Sequence, residues 1–249
     1  MTRPVMNNAA LIVSYGGGLN SAAVLVALKL ADEIPHAIVF CDTGGERPST
    51  YESVTVVSSI VQAWGFPPIL TIKREGETLE ENCLRGERLP SVAYGFKSCS
   101  VKWKQDPFVK WFKAWRKSNM FDAYTVCFGF DADEERRVRQ PDPKNGYLNR
   151  FPLIEAGWDR NECKSKCADV LGHVPKKSAC FFCPNSKRRE VLELKKLYPE
   201  LMERALFMED NAKETNITLR GLGRNVSWRD ILERDAQPKL FDQPCMCSI

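Results

Sequence analysis

The sequence predicts an α/β protein, a doubly wound parallel sheet with a Cys-bearing helical region at its C-terminal end. Three observations lead there. Short apolar runs alternate with helical patterns in the order β-α-β-α-β, a spacing that suits parallel strands joined by crossover helices. A run of three glycines separates the first strand from the first helix. Beyond about Phe151 the strand signal fades and helical patterns take over.

The first strand is read in Ala9-Ala10-Leu11-Ile12-Val13, an apolar run of the kind buried on both faces of a parallel sheet, which stops at Gly16-Gly17-Gly18. A helix follows from Asn20 to Glu33, free of Gly and Pro, with Ala23, Val26, Ala27 and Leu30 on one face. Ala37-Ile38-Val39-Phe40 gives the second strand, Ser49 to Trp64 the second helix and Ile69-Leu70-Thr71-Ile72 the third strand. Tyr124 to Phe128 reads as a fourth strand ending at Gly129. Later helices are expected over Asp159–Leu171, Ser186–Leu197, Pro199–Asn211 and Trp228–Arg234; the last begins with a capping-box pattern, Ser227 with Asp230. The chain thus divides into an α/β nucleotide-binding-type part, residues 1–150, and a helical Cys-rich part with a C-terminal tail, residues 151–249.

Composition bounds the function classes. The 249 residues carry 36 Lys plus Arg against 32 Asp plus Glu, a net charge of +4, too small by itself to imply nucleic acid. Apolar residues at 43% and charged residues at 27% match a chain with a sizeable core. No run approaches the roughly 20 apolar residues of a membrane span, and residues 1–10 lack a signal-peptide pattern. A cytoplasmic protein with no membrane partner is expected, so its ten cysteines point to metal binding or catalysis rather than disulfides.

Ser14-Tyr15-Gly16-Gly17-Gly18-Leu19-Asn20-Ser21 joins the first strand to the first helix, where backbone N–H groups and the helix dipole receive a phosphate. The Ser14 and Ser21 hydroxyls add donors. The loop is neither a Walker A motif nor a dinucleotide fingerprint, because Gly-Lys-Ser/Thr and the G-x-G-x-x-G spacing are both missing. Asp42 and Glu46, in Cys41-Asp42-Thr43-Gly44-Gly45-Glu46-Arg47-Pro48, offer oxygen ligands for Mg²⁺ or acceptors for ribose hydroxyls.

These segments carry a family resemblance. Ser14 to Ser21 resembles the pyrophosphatase loop (PP-loop) of ATP pyrophosphatases, Ser-Gly-Gly-x-Asp-Ser, in the version found in the PAPS reductase family; Asn20 stands where most such enzymes have Asp. The Cys41 to Pro48 segment with Thr50 and Tyr51 resembles that family's Asp-Thr-Gly-x-Glu segment. Gly129-Phe130-Asp131-Ala132-Asp133-Glu134-Glu135-Arg136-Arg137 is similar to its Gly-Ile-x-x-x-Glu-x-x-Arg segment, and Ser178-Ala179-Cys180-Phe181-Phe182-Cys183-Pro184 to its Cys-x-x-Cys-Pro turn. The likeness covers residues 10 to 210. It implies a PP-loop/HUP-like fold that binds ATP, or PAPS or APS as substrate, through Ser14, Gly16, Gly17, Gly18, Asn20, Ser21, Asp42, Thr43, Gly44, Glu46 and Gly129. Asn20, Glu134 and Arg137 would act in the reaction.

Cys180 and Cys183 supply two metal ligands on one turn; Cys99, and Cys163 or Cys167, are candidates for the rest. A cluster, a zinc ion and free thiols all remain open on spacing alone. Cluster-bearing members of the resembled family hold [4Fe-4S] on such a turn plus two earlier cysteines, which implies Cys99, Cys163, Cys180 and Cys183. Cys41, Cys83 and Cys127 read as core residues. Cys245 and Cys247, near the C-terminus, are read either as a swinging sulfur carrier with a catalytic role or as an inert tail.

Lys102-Trp103-Lys104 and a helix from Pro107 to Lys117 place cations among Phe108, Trp111, Phe112 and Trp115. One reading is an amphipathic helix with its aromatics in the core; the other is a nucleic-acid track. The resemblance implies sulfur transfer: adenylation and thiolation of a nucleic acid or small molecule, with a cysteine desulfurase or a thiol reductant as partner. PAPS or APS reduction with sulfite release, and a non-catalytic subunit of a DNA-modification system that binds nucleotide or nucleic acid, are the alternatives.

Overall fold

The computed structural model describes residues 8–95, 98–138, 140, 143–212 and 219–236. Its strands are β1 (Ala9–Tyr15), β2 (Ala37–Asp42), β3 (Ile69–Lys73), β4 (Ala123–Cys127) and β5 (Leu148–Arg150). Its helices are α1 (Leu19–Leu30), α2 (Pro48–Ala63), α3 (Leu79–Arg85), α4 (Ser98–Ser100), α5 (Asp106–Ser118), α6 (Pro152–Glu155), α7 (Arg160–Lys166), α8 (Arg188–Leu197), α9 (Pro199–Asn211) and α10 (Trp228–Ala236). Val101–Gln105, just before α5, and Cys167–Leu171, just after α7, are π-helical turns.

All strand pairs are parallel and the order is β3-β2-β1-β4-β5. Alternate residues of the central strands face opposite sides. Val13 and Tyr15 of β1 with Ile38 and Phe40 of β2 pack under α1 and α2, in one apolar cluster that also takes Leu153, Cys163, Cys167 and Leu171. Ile12 with Ala37, Val39 and Cys41 packs on the other face against Phe108 and Phe112 of α5. Both faces are covered, so the sheet is doubly wound, as the continuous apolar strands require.

The chain forms two compact units that differ from a division at residue 150. One comprises Met1–Gly76 and Ser100–Cys180, the other Glu77–Cys99 and Phe181–Ile249. In the second unit, α3 opens with a capping box in which Thr78 Oγ1 accepts from Glu81 N. Arg204 of α9 pairs with Glu80 of α3 and lies 4.8 Å over the Phe181 ring. Glu209 is buried, and its carboxylate accepts from the backbone N–H of Leu222 and Trp228 at 2.7 Å each. These bonds tie the loop at Gly221 and the start of α10 to α9.

Among the described residues, no helix is long and apolar enough to cross a membrane.

Candidate active site

β1 ends at Tyr15 and α1 starts at Leu19, so Gly16, Gly17 and Gly18 make the turn between them. Gly17 has φ of 76° and a Cβ there would lie 2.8 Å from the Thr50 methyl group and 3.2 Å from the Phe40 ring. Only glycine meets both conditions. Gly18 is the N-cap residue of α1, with no side chain to cap it, and no acidic residue stands in the first turn. The positive end of the α1 dipole is therefore left for an anion. Ser14 lies within β1, and Ser21 is buried with its hydroxyl donating to the Gly18 carbonyl at 2.8 Å.

The loop after β4 crosses this turn. A Cβ on Gly129 would meet the Asn20 carbonyl carbon at 2.7 Å and the Ser21 nitrogen at 2.8 Å, so the two backbones touch. Two residues on, Asp131 Oδ2 accepts from Asn20 Nδ2 at 2.9 Å, and Glu134 Oε2 accepts from the same nitrogen at 3.3 Å. Arg137 pairs with Glu134 and lies 4.6 Å over the Phe130 ring. Asn20 Oδ1 and Asp131 Oδ1 are buried acceptors with no hydrogen-bond donor.

At the end of β2, Asp42 is buried and accepts from Gly44 N and from the Tyr51 hydroxyl, each at 2.8 Å. The register that sets Asp42 beside Lys73 of β3 also brings the Lys73 ammonium to 3.0 Å from Asp42 Oδ2. Glu46 is fully buried and takes Lys104, from the π-helical turn before α5, at 2.9 Å. Each expected Mg²⁺ ligand thus already holds a lysine.

The expected cysteine ligands stand in different settings. Cys163 is fully buried in the apolar cluster beneath α1, next to Cys167, and burial pushes its thiol up to about 12. Cys180 instead contacts Thr43 Oγ1 at 3.1 Å, half-buried in polar surroundings. Cys99 and Cys183 belong to the second unit. Among the described residues, no group of three or more His, Cys, Asp or Glu side chains is arranged to hold a metal ion. Cys41, Cys83 and Cys127 are buried, as the sequence predicts. Cys245 and Cys247 lie outside the described residues.

On α5, Phe108 and Phe112 are buried, and Trp111 and Trp115 pack against the same apolar cluster. The aromatic stripe therefore serves the core, while Lys110, Lys113, Arg116 and Lys117 are exposed.

Sequence reasoning missed Lys73, Lys104, Asp131 and Ser178, all of which touch this region. Lys73 was within reach of it, because adjacent parallel strands bring Asp42 and Lys73 into register.

The order β3-β2-β1-β4-β5 reverses direction at β1, and the glycine loop stands at the C-terminal end of that strand. Ligands bind open α/β sheets at such switch points, so fold and site together define a doubly wound parallel α/β protein with its candidate ligand site at the glycine turn. No family model matches the chain. An uncharacterised protein of Methanocaldococcus jannaschii is 25% identical over 211 residues, covering 79% of this chain and 47% of its own length. The chain thus spans about half of that curated relative. Among solved structures, a phosphoadenylyl-sulfate (PAPS) reductase from Candida auris, in a phosphate complex, matches 68% of this chain and 74% of its own, with a TM-score of 0.44 and 19% identity.

Proposed function

We propose that the chain is a PAPS reductase-like PP-loop enzyme that binds ATP or a related adenine nucleotide and acts in sulfur transfer. The observation that carries this reading is the Gly16–Gly18 turn at the sheet's switch point, closed to every residue but glycine at Gly17 and opening onto an uncapped helix. The ordered motifs after β2 and β4 converge on that turn, which a loop kept only for folding does not require.

In this proposal the backbone N–H groups at the start of α1 hold the phosphates, and the Asn20–Asp131–Glu134 contact fixes the loop after β4 against them. A substrate oxygen attacks the α-phosphorus of ATP; the new P–O bond forms as the bond to pyrophosphate breaks, and pyrophosphate leaves from the glycine turn. A sulfur nucleophile then displaces AMP. Positioning and fixed dipoles supply most of the rate. Mg²⁺ would supply charge neutralisation at the nucleotide's own phosphates. The sulfur comes from a partner of the cysteine desulfurase or thiol-reductant type, in a cytoplasmic setting. A [4Fe-4S] cluster on the cysteine ligands that the family likeness implies would supply sulfur or electrons.

Pyrophosphate release from ATP in the presence of candidate acceptors tests the reaction. Sulfite release from PAPS or APS in its place would assign the reductase chemistry.

A further inference from the structure

The glycine turn lacks two things a polyphosphate needs. Residues 16 to 21 contain no cation, and the one hydroxyl among them, Ser21, is spent on its own loop: it donates to Gly18 O at 2.8 Å and accepts from Gly18 N at 3.2 Å. Opposite Gly18 stands a segment from far along the chain. A Cβ on Gly18 would lie 3.1 Å from Ser178 Oγ, 3.2 Å from Ser178 N and 3.5 Å from the Lys176 carbonyl oxygen, and a Cβ on Gly17 would lie 3.6 Å from Ser178 Cβ. This segment is held by antiparallel pairing with the loop after β2. Glu46 bridges to Cys180, and Arg47 N donates to Ala179 O at 3.3 Å. Lys176 and Lys177, both exposed, flank Ser178 on its N-terminal side.

We infer that Lys176–Ser178 is the second wall of the phosphate seat, and that the Ser178 hydroxyl is a binding residue for the nucleotide's phosphates. The inference rests on the nucleotide reading above. The Ser178 hydroxyl supplies a donor that the glycine turn leaves out, and the two lysines add positive charge to the same segment, so the ligand class is a pyrophosphate-bearing anion rather than a neutral nucleoside. Glycine is then required at position 18, because a side chain there would push the wall away. The pairing with Glu46 and Arg47 explains how a residue so distant in sequence is held at the turn.

The test is calorimetric titration of inorganic pyrophosphate, and separately of ATP, into the full chain and into Ser178→Ala, Lys176→Gln/Lys177→Gln and Gly17→Val, with thermal melts confirming that each is folded. The expected result is that Ser178→Ala weakens both ligands about tenfold with an unchanged melt. The lysine variant should weaken them and flatten the dependence on salt. If Ser178→Ala and the lysine variant bind as the unaltered chain does while Gly17→Val does not, the second wall is refuted and the nucleotide reading stands. If the unaltered chain binds neither ligand, both fall.

Discussion

Gly17 and Thr50 meet so closely that a methyl group on the glycine would lie 2.8 Å from the threonine methyl, where real side chains essentially never come. The glycine turn is thereby seated against the first turn of α2. Gly17→Ala must also adopt a φ of 76°, which costs a side chain about 1 to 2 kcal/mol before any clash. A stability loss of about 2 to 3 kcal/mol is expected by chemical denaturation, together with a loss of nucleotide affinity greater than the loss in Gly16→Ala, whose Cβ would meet nothing closer than 3.7 Å.

Asn20 donates one amide nitrogen to two carboxylates, Asp131 and Glu134. Asn20→Asp replaces that donor with a third negative charge, as in the common form of the PP-loop. A destabilisation of about 1 to 2 kcal/mol at pH 8 is expected, because three carboxylates then face one another without the amide donor. Thermal melts of the variant beside the unaltered chain read it; an unchanged midpoint would contradict the contact.

Lys104 sits beside a Glu46 side chain with no exposure at all. Burial alone would lower the lysine's pKa, but the Glu46 carboxylate, with Cys180 and Cys41 beside it, outweighs it and leaves the pKa above its ordinary value. A raised lysine pKa contributes stability that is complete below about 10.4 and is lost as pH rises through the folded value. Lys104→Met strands a buried carboxylate. A loss of about 3 kcal/mol at pH 7 is expected, the low end for such a change because Lys104 keeps 35% of its side chain in water. Adding Glu46→Leu should recover part of it, which a double-mutant cycle measures.

Burial pushes the thiols of Cys41, Cys83, Cys127 and Cys163 up to about 12. At pH 8 they should resist alkylation in the folded protein and react once it is denatured, as peptide mapping after iodoacetamide will show.

The central sheet was legible because its strands are apolar on both faces and end at turn residues: Ile12 and Val13 face opposite clusters, yet both are apolar. β5 was not legible. Its three residues, Leu148, Asn149 and Arg150, carry no alternation and join the sheet only through backbone pairing with β4. α3 was signalled by Thr78 and Glu81 but is short and flanked by charge. The glycine turn was visible as a local pattern, while Lys104, Ser178 and the burial of Cys163 depend on which distant segments pair. The family likeness, not spacing, singled out Cys163 over Cys167, because cysteines at helix spacing look the same whether their face meets a metal or the core.

The most direct measurement is equilibrium binding of ATP, APS and PAPS to the purified chain, set against the Gly17→Val variant. Nucleotide binding at the glycine turn predicts that at least one of these adenine nucleotides binds, competes with pyrophosphate and loses its affinity in Gly17→Val. Failure of all three to bind, or equal binding by Gly17→Val, would contradict it.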